Sequence, residues 1–197
     1  MPKISIVPGD LTDQPDIDVI VNAANEALRG GAGVCGAIFR AAGWGDMQVA
    51  CEEHQVLEGR PGVRCPVGWS KATPAFRLPN KAVIHAVGPV YDEHTPGQSA
   101  LLLRAAYTSS LKLAELLNHK SIAFPAISCG VYGYPWEEAA RIALEACDRY
   151  YRNGGTLEEI RFVIFEPELM EVFESEGAKI KAAVLADGPV RTEVAEG

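Results

Sequence analysis

Short apolar, β-branched runs alternate along the chain with longer stretches whose apolar positions recur at helical spacing. Lys3–Val7 and Asp18–Val21 predict the first two strands, and Val21 leads directly into Asn22-Ala-Ala-Asn25. A glycine-rich stretch, Gly30–Gly33, precedes a helix-compatible run over Val34–Ala42, and Asp46–Glu58 predicts a second amphipathic helix. Val67–Thr73 reads as a weak edge strand, whereas Lys81–Val87 is apolar enough to be buried on both faces. Ser99–Asn118 has helical periodicity, with Leu102, Ala106, Leu113 and Leu117 on one side. Ser121–Ile127 predicts another buried strand, and Pro135 suits the first turn of a helix over Trp136–Tyr151. Ile160–Phe165 is the last predicted strand and Pro167–Ala183 the last helix.

Strands alternating with helices imply an α/β fold with a sheet covered on both faces. No repeat or linker divides the chain, so the expectation is one domain over residues 1–185 and a polar tail over 186–197. In such sheets ligands sit beyond the carboxyl ends of the strands. Both glycine-rich loops follow strands and should open at that edge.

Charge and cysteine usage narrow the function classes. The net charge of −8 and pI near 5.0 argue against long nucleic acid as partner, because neutralising phosphates is the main source of that affinity. A nucleotide needs only a few local donors and stays open. The five cysteines form no C-x-x-C pair and no secretory signal precedes the first strand, which reads as reduced thiols in a cytoplasmic protein. No apolar run has transmembrane length, so no membrane partner is expected. No clustered Cys/His pattern suggests a metal, and no cofactor is expected.

The candidate chemistry lies in the loops. Gly30-Gly-Ala-Gly33 lets backbone N–H groups approach an anion at a helix N-terminus, or is simply a tight strand-to-helix connection. Ser128–Gly133 repeats the arrangement, with glycines at 130 and 133, and two such loops can clamp a diphosphate from both sides. Tyr132 between those glycines is either a ligand-facing ring or a core aromatic. Asn22 reads as a buried brace and Asn25 as a donor and acceptor for ribose hydroxyls. Asp10 either accepts from an adenine amino group or caps the turn around Thr12. His85, inside a buried strand, reads as a core histidine, and Cys129 as a structural thiol.

The string Val21-Asn-Ala-Ala-Asn-Glu-Ala-Leu-Arg-Gly-Gly-Ala-Gly-Val-Cys-Gly-Ala-Ile-Phe-Arg-Ala-Ala-Gly43 closely resembles the signature of macrodomains, in particular the MacroD-type branch. Pro8-Gly-Asp-Leu-Thr12, His85-Ala-Val-Gly-Pro89 and Phe124-Pro-Ala-Ile-Ser-Cys-Gly-Val-Tyr-Gly133 extend the likeness, which runs in family order from about residue 3 to 180. The resemblance implies a three-layer α/β/α macro fold with a mixed, mainly parallel sheet flanked by helices. It implies ADP-ribose binding, with hydrolysis of O-acetyl-ADP-ribose or of mono-ADP-ribosyl groups on the acidic side chains of ADP-ribosylated proteins. The alternative is a reader module that binds ADP-ribose without turnover.

Carried over by position, Asp10 and Leu11 meet the adenine, Phe165 stacks nearby and Asn25 holds the distal ribose. Gly31, Ala32, Gly33, Val34 and Cys35, together with Ser128, Cys129, Gly130, Val131 and Tyr132, wrap the diphosphate and that ribose. Asn25, Cys35 and Tyr132 form the implied catalytic set. The branch pattern is Gly-Gly-Gly-Val-Asp-Gly-Ala-Ile-His; here Ala32 replaces a glycine, Cys35 the aspartate and Phe39 the histidine. That aspartate is the residue expected to orient or activate water, and a thiol is a poorer general base. The chain is similar here to viral macrodomains that carry Gly-Val-Cys, in which the substrate's own phosphate helps to position the water.

Overall fold

The computed structural model of the chain describes residues 3–186. The strands are β1 (Lys3–Pro8), β2 (Val19–Ala24), β3 (Ser70–Pro74), β4 (Ala82–Val87), β5 (Ser121–Phe124) and β6 (Glu159–Ile164). The helices are α1 (Gly33–Ala42), α2 (Trp44–Glu53), α3 (Pro96–Leu116), α4 (Trp136–Arg152) and α5 (Pro167–Ala186). The expected polar tail falls almost wholly on residues 187–197, outside the described residues.

One six-stranded sheet runs in the order β1-β6-β5-β2-β4-β3, parallel throughout except for the antiparallel edge strand β3. Successive residues of a strand point to opposite faces, and the packing follows that alternation. Val19 and Val21 join Ile84, Ile122, Phe124 and Phe162 in a core under α3, α4 and α5, whereas Ile20, Val83, Ala123 and Val163 pack under α1 and α2. Each of the larger side chains so buried contributes about 1.5–3 kcal/mol. All six residues of β4 are buried, so its continuous apolar run reflects cover on both faces.

Several boundaries differ from the sequence reading, each for a local reason. β2 extends past Val21 through Ala24, because Asn22, Ala23 and Ala24 stay in register with His85, Ala86 and Val87. β5 stops at Phe124, where Pro125 has no N–H for the ladder. Pro135 occupies the N-cap of α4 rather than its first turn. α2 ends at Glu53, five residues before the expected Glu58; His54 turns extended and its Nε2 reaches Ala72 O at 3.1 Å. α3 begins earlier than expected, at Pro96, because Thr95 and Gln98 form a capping box. Its buried stripe is Ser99, Leu103, Ala106, Tyr107, Ser110, Leu111 and Ala114, which shares Ala106 with the expected row but not its leucines. Leu102 and Leu113 lie at the margin of that stripe and Leu117 is exposed. Serines serve on a buried face here because their hydroxyls bond backbone carbonyls, Ser99 to Tyr91 O and Ser110 to Ala106 O.

Candidate functional site at the carboxyl edge of the sheet

The strand order reverses between β2 and β5: the strands that follow β2, β3 at the edge and β4 beside β2, lie on one side, and β6, which follows β5, lies on the other. Ligands of open α/β sheets bind at such a reversal. The ladder between β2 and β5 ends at Ile20 and Ala123, while β2 continues to Ala24 against β4. The strands therefore part, and the segments that follow them border the gap. The β1 exit (Gly9, Asp10, Leu11) and Phe165 beyond β6 open at the same edge, because β1, β6, β5 and β2 are parallel neighbours.

The first loop offers uncapped backbone donors. Ala32, the N-cap of α1, is extended, and no side chain caps the helix. The amides of Gly33, Val34 and Cys35 thus begin the helix at its electropositive end. The second loop, Ser128–Gly133, is closed by Gly133 N donating to Gly130 O at 2.9 Å and Tyr134 N to Ser128 O at 3.0 Å. Among the described residues, the amides of Gly130, Val131 and Tyr132 have no acceptor. Consecutive free amides of this kind form an anion-binding nest.

The glycines divide into two sets by what surrounds them. A Cβ at Gly30 would lie 2.5 Å from Trp44 Cζ2 and 2.8 Å from Phe39 Cδ1, and one at Gly36 would lie 2.5 Å from Gly31 O. Those two are required by internal packing. At Gly33, Gly130 and Gly133 a Cβ would meet nothing within 4 Å. Their faces are open, although Gly33 (φ +57°) and Gly133 (φ +66°) also need left-handed backbone.

The macro domain family model matches residues 21–143, more than half of the chain. The chain is a macrodomain. A macro domain-containing protein of Caldanaerobacter subterraneus subsp. tengcongensis is 45% identical over 171 residues, 87% of this chain and 93% of that protein. A protein named O-acetyl-ADP-ribose deacetylase in Escherichia fergusonii is 46% identical over 168 residues, 84% and 90% of the two chains. Among solved structures, the Oceanobacillus iheyensis macrodomain with ADP superposes with a TM-score of 0.83 at 37% identity, over 90% of this chain and 91% of that one. The Trypanosoma brucei macrodomain in complex with ADP-ribose gives 0.74 at 35% identity, over 87% and 68%. The mixed six-stranded sheet flanked by five helices is the macrodomain α/β fold.

In this macrodomain the sequence-selected residues separate into those facing the edge and those beneath it. Val131 and Phe165 are 93% and 79% exposed, two apolar side chains left open at one rim. Leu11 is buried below that rim. Asp10 caps its turn, Oδ1 accepting from Thr12 N and Thr12 Oγ1, both at 2.8 Å. Asn25 braces its own loop, Nδ2 donating to Arg29 O at 2.8 Å and Oδ1 accepting from Arg29 N at 3.1 Å. Tyr132 is half-buried, and partial burial with the nearby Cys35, Glu26 and Glu93 pushes its hydroxyl above the usual tyrosine range.

The thiols are interior groups. Cys35 is 6% exposed, with Sγ near the Asn22 amide and the Arg29 carbonyl, and burial raises its pKa. Cys129 is pushed up to about 12 by burial and the neighbouring Glu166, so its place before a helix does not activate it. His85 is wholly buried, held neutral with a pKa lowered to about 3, and bonded to Asn22 and Thr73. Among the described residues, no group of three His, Cys, Asp or Glu side chains could hold a metal, and no helix is long and apolar enough to cross a membrane.

Two further braces of the second loop escaped the sequence reading. Tyr91 N donates to Tyr132 O at 2.9 Å, and Tyr107 OH bridges Pro125 O and Ile127 N at 3.4 and 3.1 Å. The Gly88-Pro89 dipeptide was the available signal, marking a chain reversal directly after β4. Two concavities lie elsewhere: about 790 Å³ between β1, α4 and α5, and about 750 Å³ at the amino ends of the strands around Asp18 and Ser121. Neither shares a residue with the two loops.

Proposed function

We propose that this macrodomain binds ADP-ribose across the gap between β2 and β5 and hydrolyses ADP-ribosyl esters, O-acetyl-ADP-ribose foremost. The observation that carries this reading is the pair of facing backbone donor sets, at the start of α1 and at Gly130–Tyr132. A diphosphate accepts from both without a basic side chain, which suits a protein of net charge −8. The segment Gly31–Cys35 takes one side of the diphosphate and Ser128–Tyr132 the other. Asp10, Leu11 and Phe165 take the adenine; the Asp10 carboxylate caps its turn through Oδ1 and keeps Oδ2 for the amino group. Asn25, whose amide is already oriented by Arg29, takes the distal ribose.

For the ester, water attacks the acyl carbon, the bond from acyl carbon to ribose oxygen breaks, and the ribose oxygen takes up the proton as acetate leaves. Cys35 does not act as the base, because its thiol is buried and raised in pKa. The loop amides stabilise developing negative charge, and the substrate's phosphate orients the water. Tyr132 lines that side of the gap. ADP-ribosylated acidic side chains, as esters of the same ribose, are a second substrate class, and the cytoplasm is the compartment in which both would be met. The absence of a carboxylate at position 35 favours one rival reading, a module that binds ADP-ribose without turnover.

Calorimetry with ADP-ribose, ADP, AMP and NAD, followed by chromatography of O-acetyl-ADP-ribose incubated with the protein, separates these. Tightest binding to ADP-ribose with release of acetate is expected. Binding without acetate release would leave the reader, and no saturable binding at millimolar ADP-ribose would remove both.

A further inference from the structure

Beneath the first loop a chain of side-chain hydrogen bonds runs from the core to the gap. Asn22 Nδ2 lies 3.0 Å from His85 Nδ1 and 3.5 Å from Cys35 Sγ. An amide nitrogen only donates, so Nδ1 is the acceptor of the ring and Nε2 carries its proton. That proton faces Thr73 Oγ1 at 2.9 Å, and the Thr73 hydroxyl donates in turn to Met47 Sδ at 3.3 Å. On the other side, Cys35 accepts from Asn22 and directs its S–H at Arg29 O, 3.8 Å away. The same carbonyl accepts from Asn25 Nδ2 at 2.8 Å. Donors and acceptors alternate consistently from Met47 in α2 to Asn25 at the edge.

Stability does not account for this chain. Asn22 is 1% exposed and its Oδ1 has no partner among the described residues. A buried acceptor left alone costs about 1–3 kcal/mol, which apolar side chains of similar volume would avoid. What the chain does achieve is geometric. Asn22 and His85 sit on two paired central strands, in register with each other, and Cys35 is the link between that fixed pair and the loop.

We propose that Cys35 is a positioning residue: it transmits the geometry of Asn22 and His85 to the Arg29 carbonyl, holds Asn25 in place for the distal ribose, and thereby sets the preference for ADP-ribose over ADP. The inference rests on the assignment of Asn25 to that ribose. It gives the thiol a task that a stronger base would not improve, since the position needs a group that accepts from one side and donates to the other. Burial keeps His85 neutral, so its end of the chain keeps one tautomer at neutral pH.

The test is calorimetry of ADP-ribose and ADP on the full chain and on Cys35→Ala, Cys35→Ser, Asn25→Ala and the double variant Cys35→Ala/Asn25→Ala. Cys35→Val, which keeps the volume without the hydrogen bonds, stands in should alanine unfold. Cys35→Ala should weaken ADP-ribose by about 3- to 10-fold, the worth of one modest hydrogen bond, and weaken ADP, which lacks the distal ribose, by clearly less. Cys35→Ser should recover most of that loss, and Cys35→Ala should have no further effect once Asn25 is alanine. Equal weakening of both ligands, an undiminished effect in the Asn25→Ala background, or no rescue by serine would overturn the proposal. If the unaltered protein itself fails to prefer ADP-ribose, the assignment of Asn25 falls and the proposal with it. If it does prefer ADP-ribose and Cys35→Ala keeps the full preference, only the role of Cys35 falls.

Discussion

Gly88 lies directly against Ser128, so close that a Cβ on Gly88 would overlap the Ser128 hydroxyl and lie 2.5 Å from Ile127 Cγ2. Ser128 itself is held at φ +67°, left-handed backbone for a residue with a side chain, and its Oγ has no partner among the described residues. The exit of β4 and the start of the second loop are thus fitted to each other with no spare volume. Gly88→Ala should destabilise the protein by about 1–3 kcal/mol through overpacking and should weaken ADP-ribose beyond what the loss of folded protein explains. Urea melts beside calorimetry check this, and an unchanged midpoint would mean that the two segments separate freely.

The open glycines allow a cleaner probe of the anion cradle. Gly130 has open space over it and no left-handed requirement, so Gly130→Glu adds a carboxylate to the second loop without straining the fold. The expected result is a melting temperature within about 2 °C of the parent, since strain-free surface changes stay near ±0.5 kcal/mol, together with loss of detectable ADP-ribose binding. Gly33→Glu should also abolish binding but lower the melting temperature, because φ +57° disfavours any side chain there. Normal affinity in Gly130→Glu would place the diphosphate elsewhere.

Asp10 separates capping from recognition because its two oxygens have different duties. Asp10→Asn can keep Oδ1 as acceptor for Thr12 while turning the other oxygen into an amide donor. Stability should hardly move, whereas adenine nucleotides should bind about 3- to 10-fold more weakly if that oxygen accepts from the adenine amino group. Asp10→Ala should lose stability as well, by about 1 kcal/mol for the missing cap. Unaltered ADP-ribose affinity in Asp10→Asn would reduce Asp10 to a cap.

The buried imidazole predicts a pH dependence whose sign follows from linkage. His85 has a folded pKa of about 3 against an ordinary 6.5, so below pH 6.5 the unfolded chain binds a proton that the folded one refuses. Stability should therefore be full above pH 6.5 and fall as the pH drops towards 3, by up to about 1.4 kcal/mol per unit from this group. His119, lowered by partial burial, acts in the same direction. Urea melts at pH 7.5, 6.0 and 5.0 on the parent and on His85→Gln read the slope; an identical slope in both would show that His85 does not govern it.

The loops were legible in the sequence because their signals are contiguous: apolar run, glycines, helix start. The relay under them was not. Asn22, Cys35, Thr73, His85 and Met47 sit on three strands and two helices, brought together by the pairing of β2 and β3 with β4 and by the packing of α1 and α2 on that face. Periodicity misplaced the face of α3 for a related reason, since Ser99 and Ser110 count as polar in the sequence yet meet carbonyl acceptors in the fold. The left-handed Ser128 has no local sequence signal: its neighbours include Gly88, which lies against it from a distant segment, and the preceding Ile127 N donates to Tyr107 OH.

The pairing of β1 with β6, in register from Lys3 with Glu159 to Pro8 with Ile164, has a consequence for the order in which the protein is made. β1 has no neighbour in the sheet until β6 follows, since among the described residues β6 is its one partner. Central pairs such as β2 with β4 can form while synthesis continues, but the β1 exit before Asp10 meets the end of β6, where Gly9 N donates to Ile164 O, only once that distant strand has been made. Contacts this remote in sequence form late because closing the intervening loop is entropically costly. A nascent chain halted before residue 159 therefore carries both glycine-rich loops but lacks the strand beside the Asp10 turn, so the edge we assign to the adenine is completed only when β6 pairs with β1.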